Sequence, residues 1–278
     1  MKKIFFGVLL SIFLIITSSI TYAAGLQIKV DGVVIASDVK PEIMNNRTMV
    51  PVRVISENLG ANVHWANSEV TLTKNNVKVI LNLNSTTAEV NGKKILLDIE
   101  PYIKNNRMFV PLRFIAETFE CDVNYSNFTV TINTNPLHID GEQVKAMQHE
   151  YHMTMGGVVQ QVNGNAYNEA IYNIFMENKG DKVGAPEHYS WSPNIDILGS
   201  YYKVGQYEFL DQEDDILKSF EIYNLVHSDL EEYPEILLYD VTENQWYLFS
   251  NKAGKSINQL INTASKNGFL KIISDTVV

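Results

Sequence analysis

The run His149-Glu150-Tyr151-His152 is the nearest approach in this sequence to a metal-dependent hydrolytic motif. A zinc protease helix needs His-Glu-x-x-His, which puts two imidazoles one turn apart and the glutamate where it can activate water. Here the spacing is i,i+3 and no third ligand follows at a recognisable distance, so a polar helix surface is the simpler reading. Gly254-Lys255-Ser256 stands where a phosphate loop would, between an apparent strand (Trp246 to Phe249) and an apparent helix. The upstream glycine that such a loop requires is Phe249, however, and Ser256 reads instead as the N-cap of a helix. Asp211, Glu213, Asp214 and Asp215 offer oxygen ligands but lack the glycine and alternating spacing of a calcium loop. As acids ahead of Ile216 to Phe220 they suit a helix N-terminus. No Gly-x-Ser-x-Gly, paired Cys-x-x-Cys or dinucleotide glycine pattern occurs. The sequence therefore predicts no metal site and no cofactor. The chemistry left open is acid–base work by carboxylates among Glu187, Asp196, Glu208, Glu231, Glu232 and Glu235, two of which would have to face each other across a cleft.

Arginine is the most informative residue type. The chain has only four, Arg47, Arg53, Arg107 and Arg113, and they form two pairs sixty residues apart. The same offset matches Val30-Asp31-Gly32 with Val90-Asn91-Gly92, and Asn45-Asn46-Arg47 with Asn105-Asn106-Arg107. It also matches Val50-Pro51-Val52-Arg53-Val54-Ile55-Ser56-Glu57 with Val110-Pro111-Leu112-Arg113-Phe114-Ile115-Ala116-Glu117. About 18 of 48 paired positions are identical without a gap, which is the mark of a duplicated unit. Each copy reads as a hairpin around Asp31-Gly32 or Asn91-Gly92, a second turn at the Asn-Asn pair, and a short strand. A short helix follows, opened by Pro51 or Pro111 and carrying an apolar stripe (Val52, Ile55, Leu59; Leu112, Ile115, Phe119). Arg53 with Glu57 and Arg113 with Glu117 are i,i+4 pairs on that helix. They read as clamps that anchor it to the preceding turn, with a ligand-binding role as the alternative. One copy has too little interior to stand alone, so two are expected to pack together.

The Val-Pro-x-Arg-x-x-x-Glu cores and their Asn-Asn-Arg turns resemble the stalk-type module named after the N-terminal region of copper amine oxidases. The resemblance spans residues 26–133, less than half of the chain. It departs from the pattern in the second copy, where Glu120 replaces the helix-ending glycine (Gly60 in the first copy) and Tyr125 replaces Trp65. It implies a secreted accessory module and neither copper nor amine oxidation. Nothing here resembles the Asn-Tyr-Asp/Glu context in which those enzymes build their quinone.

Around this module the chain divides into a signal peptide (1–24), the module (25–134) and an acidic domain (136–278). Lys2 and Lys3, the apolar run from Ile4 to Ile16 and Thr21-Tyr22-Ala23 predict export with cleavage after Ala23 or Ala24, leaving no stable membrane span, with an uncleaved membrane anchor as the alternative. The net charge of −10 is uneven: residues 25–134 carry 11 acidic and 11 basic side chains, and residues 135–278 carry 21 and 9. The field of residues 135–278 repels phosphate backbones, so nucleic acid is not an expected partner of that half. The lone cysteine, Cys121, excludes an internal disulfide and reads as a small buried side chain.

The second half is expected to be α+β with a small antiparallel sheet. Helices are expected over Gln143 to Met153, Tyr167 to Glu177 and from Ser256 to Gly268. Residues 180–206 read as loop, residues 216–226 fit helix or strand equally, and a hairpin surrounds Thr242-Glu243-Asn244. In that loop His188, Tyr189, Trp191, Tyr201 and Tyr202 concentrate rings that could stack on a ligand or fold back as a satellite core. The functional expectation is an exported, non-catalytic surface or cell-wall protein whose module attaches or presents the acidic domain. Its expected partner is a cell-envelope glycan or protein. The alternative is a wall-directed hydrolase using the carboxylates named above.

Overall fold

Residues that tolerate positive φ set the layout of the first half. The computed structural model describes residues 25–153, 155–227, 229–230 and 232–277; the signal segment and Glu231 lie outside them. β1 (Gln27–Val30) and β2 (Val33–Val34) flank Asp31 (φ 48°) and Gly32 (φ 81°). β3 (Glu42–Met44) and β4 (Arg47–Pro51) flank Asn45 (φ 47°) and Asn46 (φ 60°). Two central residues with φ > 0 are what a two-residue hairpin loop demands, and asparagine is among the side chains that accept it. Pro51 then ends β4, and its extended backbone (ψ 121°) leads into α1 (Val52–Asn58). β5 (Asn62–Ala66), β6 (Glu69–Lys74) and β7 (Val77–Asn82) follow.

The chain then runs through β8 (Thr87–Val90), β9 (Lys93–Leu96), β10 (Tyr102–Lys104), β11 (Arg107–Pro111), α2 (Leu112–Thr118), β12 (Asp122–Ser126) and β13 (Thr129–Asn133). These elements build three sheets, ordered β12-β13-β1-β2, β10-β11-β4-β3 and β5-β6-β7-β8-β9. In the middle sheet β4 and β11 run antiparallel with Val50 opposite Val110, Met49 opposite Pro111 and Pro51 opposite Phe109. That sheet curls until its two edges touch, since Tyr102 Oη of β10 donates to Glu42 of β3 at 2.5 Å. Met49, Phe109 and Ile99 fill its concave side.

In the second half β14 (His138–Ile139) and β15 (Glu142–Gln143) form a small hairpin. A nine-stranded sheet follows, larger than the sequence suggested. It contains β16 (Ala146–Met153), β17 (Gly156–Val162), β18 (Lys182–Val183), β19 (Tyr189–Ser190), β20 (Tyr201–Leu210), β21 (Ile216–Leu225), β22 (Ile236–Asp240), β23 (Gln245–Leu248) and β24 (Leu270–Asp275). Its order is β18-β23-β22-β21-β20-β16-β17-β24, with β19 added parallel to β20. The segment expected as a helix over Gln143 to Met153 is thus mostly strand. Met147 and His149 are buried while Gln148 and Glu150 on the opposite side are only half-buried, a period of two that its polar residues disguise. Part of the expected loop over 180–206 belongs to β20, and residues 216–225 are strand.

Two helices, α3 (Asn165–Glu177) and α4 (Asn251–Lys266), cover one face of this sheet. Phe175 stacks on Phe220 at 4.5 Å and meets Tyr207 edge-on at 5.0 Å, while α4 buries Ala253, Ile257, Ile261 and Ala264 as one stripe. Its N-cap is Ser250, whose Oγ accepts from Ala253 N at 3.0 Å, so Ser256 sits inside the helix.

The two halves share one continuous apolar core that runs from Ile28 through Val50 and Ile115 to Phe175 and Ile261. The contact between them falls on the first copy. The Asp31 carboxylate accepts from Thr134 N (2.8 Å), Thr134 Oγ1 (2.7 Å) and Asn165 N (3.1 Å), tying the first turn to the linker and to the start of α3. Gly60 ends α1 at φ +82°, and a Cβ there would lie 3.0 Å from that of Ala166 in α3. Its counterpart Glu120 holds the same left-handed backbone (φ 58°) but is exposed. Two substitutions should therefore move stability in opposite directions. Gly60→Ala should cost about 1–3 kcal/mol, through strained backbone and the crowded Ala166. Glu120→Gly should stabilise by about 0.5–1 kcal/mol by removing a left-handed non-glycine residue. Denaturant melts of the two variants against the parent check both signs.

Candidate functional site

The arginines meet in pairs on the surface of the first half. The Asn45-Asn46 turn delivers Arg47 at the start of β4, and the Pro111 corner delivers Arg113 in the first turn of α2. Together they line an open groove of about 340 Å³ with Ile43, Leu112, Val123 and Tyr125. A second groove of about 430 Å³ is lined by Arg107, Arg53, Ile103, Val52, Val63 and Trp65. Each residue of one set lies sixty positions from its partner in the other. Each groove therefore lies on a seam, taking its Asn-Asn-Arg turn from one copy and its Pro-x-Arg helix start and aromatic from the other. Tyr125 is 48 % exposed and Trp65 41 %. Among the described residues no carboxylate lines either groove.

Reciprocal ion pairs hold the seams. Arg47 Nε donates to Asp98 at 2.6 Å, and Arg107 Nη2 donates to Asp38 at 2.5 Å. Asp38 and Asp98 are themselves sixty residues apart, the same offset that relates the arginines. Arg53 and Arg113 are bound more loosely. Their Nε atoms stand 3.8 Å from Glu57 and 3.7 Å from Glu117, and their side chains are 61 % and 59 % exposed. The i,i+4 spacing read from sequence is present, but these pairs lie in solvent and reach along their own helix, where the sequence suggested clamps onto the turn before it.

In the second half the loop aromatics fold back onto the sheet face opposite the helices. Tyr189 meets Tyr223 and Trp246 edge-on at 5.6 and 5.0 Å. Tyr201 is buried in the same cluster and donates from Oη to Pro234 O at 2.7 Å. Trp191 stacks on His152 at 3.9 Å, with the Lys203 ammonium 4.4 Å from its ring. Tyr202, half-buried, pairs with Asn224 across β20 and β21. His188 lines a groove of about 460 Å³ with Pro186, Leu198 and Tyr233, where Glu187 is the one carboxylate among the lining residues.

The remaining chemical candidates separate. On strand β16, His149 and His152 point to opposite faces and cannot share a ligand. His149 Nδ1 accepts from Gln160 Nε2 (2.9 Å) and its ring stacks on Tyr207 at 4.4 Å, whereas His152 pairs with Glu150 at 2.7 Å. Burial pushes the His149 imidazole down to about 4. The acidic cluster is not at a helix N-terminus. It forms the turn between β20 and β21, with Asp211 Oδ1 accepting from Glu213 N (2.9 Å) and Asp215 N (2.8 Å). Among the described residues no three His, Cys, Asp or Glu side chains gather closely enough to hold a metal ion. Glu208 accepts from Gln206 and Glu235 from Asn251, and Asp196 lies in the turn after Asn194. Cys121 is buried at the end of α2, and burial raises its thiol to about 11.

Residues 29–134 match the family model described as copper amine oxidase N-terminal domain. The resemblance carried by the two Val-Pro-x-Arg units holds. No curated protein and no solved structure matches the chain. Both arginine-lined grooves lie within the span of the copper amine oxidase N-terminal match.

Two measurements follow. Arg53→Ala and Arg113→Ala should each change stability by less than about 1 kcal/mol, because exposed ion pairs contribute little; thermal melts decide it. His149 should make the fold acid-sensitive. Its folded pKa lies below the unfolded value of 6.5, so its stabilising contribution is complete above pH 6.5 and is lost as pH falls toward 4. The loss amounts to about 3 kcal/mol, and melts of His149→Gln across that window should show a flatter profile than the parent.

Proposed function

We propose that this chain is an exported, non-catalytic protein of the cell envelope, in which residues 25–134 attach to an envelope component and the acidic second half is presented from it. One observation carries the reading. All four arginines, each with one carboxylate partner, converge on two related open grooves bordered by an exposed aromatic, which is an arrangement for recognition. Catalysis would need a nucleophile with its base, or two facing carboxylates, and the grooves offer neither. In the second half lysines neutralise the most buried acids. Asp240 is fully buried between Lys179 (2.6 Å) and Lys218 (2.8 Å), and Glu221 is held by Lys203 at 2.5 Å. Buried charges paired in this way serve the fold.

The module itself is read as a duplicated unit. The strand and helix bounds at 42–44, 47–51, 52–58 and 62–66 have counterparts sixty residues on, and Val50 opposite Val110 marks the axis that relates them. Export rests on the first 24 residues. Among the described residues no helix is long and apolar enough to cross a membrane.

The purified chain should co-sediment with washed envelope material and release no sugar or amine from it during prolonged incubation. Protein recovered from the culture should have the intact mass of a chain starting at Ala24 or Gly25. A full-length cytosolic product, or steady release of wall fragments, would overturn the proposal.

A further inference from the structure

We infer that the two seam grooves are a pair of equivalent binding sites for an anionic glycan, each taking one segment of a polymer. The inference rests on the attachment reading above and names what is attached.

The lining dictates the ligand class. A guanidinium is a planar fork suited to a carboxylate or phosphate, and each groove holds two, Arg47 with Arg113 and Arg107 with Arg53. Arg47 and Arg107 are fixed by Asp98 and Asp38. Arg113 and Arg53 contact their own glutamates only at 3.7 and 3.8 Å and are more than half exposed, so they can turn to an incoming anion at little cost. Between the cations lies an apolar floor, Leu112 with Val123 in one groove and Val52 with Val63 in the other. An exposed ring borders each, Tyr125 and Trp65. A flat ring beside a cation fits the apolar face of a sugar that carries an acidic substituent. The amides of Asn46 and Asn106 supply donors and acceptors for hydroxyls. An acidic peptide would use the arginines but would leave the rings without a flat partner.

Geometry sets the stoichiometry. The axis through the Val50 and Val110 pair relates the two grooves by a half-turn. A glycan chain has a direction, so one straight segment cannot enter both grooves in the same sense. Each groove therefore binds its own segment, and a polymer that folds back or two neighbouring strands engage the chain bivalently. Weak single sites then give firm attachment through effective concentration.

The test uses the purified chain and four probes of similar length: a glycerol-phosphate teichoic polymer, polygalacturonate, neutral dextran and poly-L-glutamate. Arg53→Gln and Arg113→Gln each disarm one groove, and their expected neutrality toward stability keeps the readout clean. At least one of the two anionic glycans should bind ten-fold or more tighter than dextran, and which one identifies the source of the anion. Each single variant should lose about 3- to 10-fold and the double variant about 100-fold. Trp65→Ala and Tyr125→Ala should weaken glycan binding without changing the melting temperature. Equal affinity for poly-L-glutamate, unaffected by Trp65→Ala, would sink the inference, as would unchanged glycan binding in the double arginine variant. If the double variant still sediments with envelope material, attachment stands and the grooves are not its site. If the parent binds an anionic glycan but not envelope material, the grooves stand and attachment falls.

Discussion

Mutual completion is the constraint on which this molecule depends. A unit of about sixty residues with one seven-residue helix encloses only a marginal core of its own. The strand pairing answers that shortage directly. The β1–β2 hairpin of the first copy joins β13 of the second, with Ile28 beside Val130 and Val30 beside Ile132. The β8–β9 hairpin of the second copy joins the first copy's β5 and β6 through β7. Each copy thus closes the other's sheet, and β4 against β11 fastens the middle.

The grooves are a by-product of that exchange. Where two copies meet along a curved seam, a turn from one faces the helix start of the other, and the surface between them is concave. The side chains delivered there are fixed by backbone geometry. The Asn-Asn turn needs two positive φ angles, so the following arginine always leaves at the same angle, and proline in the strand-to-helix corner does the same for the second arginine.

Much of this was legible in the residues, and the limits have physical causes. The sixty-residue repeat, both turns, the short helices and the strands up to Asn133 all come from local rules: turn chemistry, proline placement and short-range periodicity. The strand at Ala146–Met153 was misread because its outward positions hold Gln148, Glu150 and His152, which suit an exposed helix equally well. Only its neighbours, β17 and β20, decide the matter. The nine-stranded sheet was likewise underestimated, since β18 and β19 are two residues each and exist through pairing alone. The grooves were the deepest omission. Arg53 was read with Glu57, its neighbour along the chain, while the partner that matters for a site, Arg107, lies 54 positions away on the other copy. Sequence spacing cannot reveal a site whose two walls come from different copies.

Divergence between the copies is best explained by what docks on them. The first copy carries the second half of the chain, the second copy does not, and the substitutions follow that difference. A Cβ on Gly60 would crowd that of Ala166 at 3.0 Å, whereas Glu120, at the same helix end, carries an exposed side chain. Asp31 is half-buried, and that burial raises its carboxyl against the pull of the hydrogen bonds from Thr134 and Asn165. Its counterpart Asn91 only accepts from Lys78 N at 2.8 Å in its own sheet. A charge is retained where three donors from the linker and α3 converge and is replaced by an amide where one backbone donor remains. The groove residues show no such divergence in type, for arginine stays arginine and an aromatic stays an aromatic. The two repeats thus differ at the face that meets the second half, and the two grooves carry the same residue types.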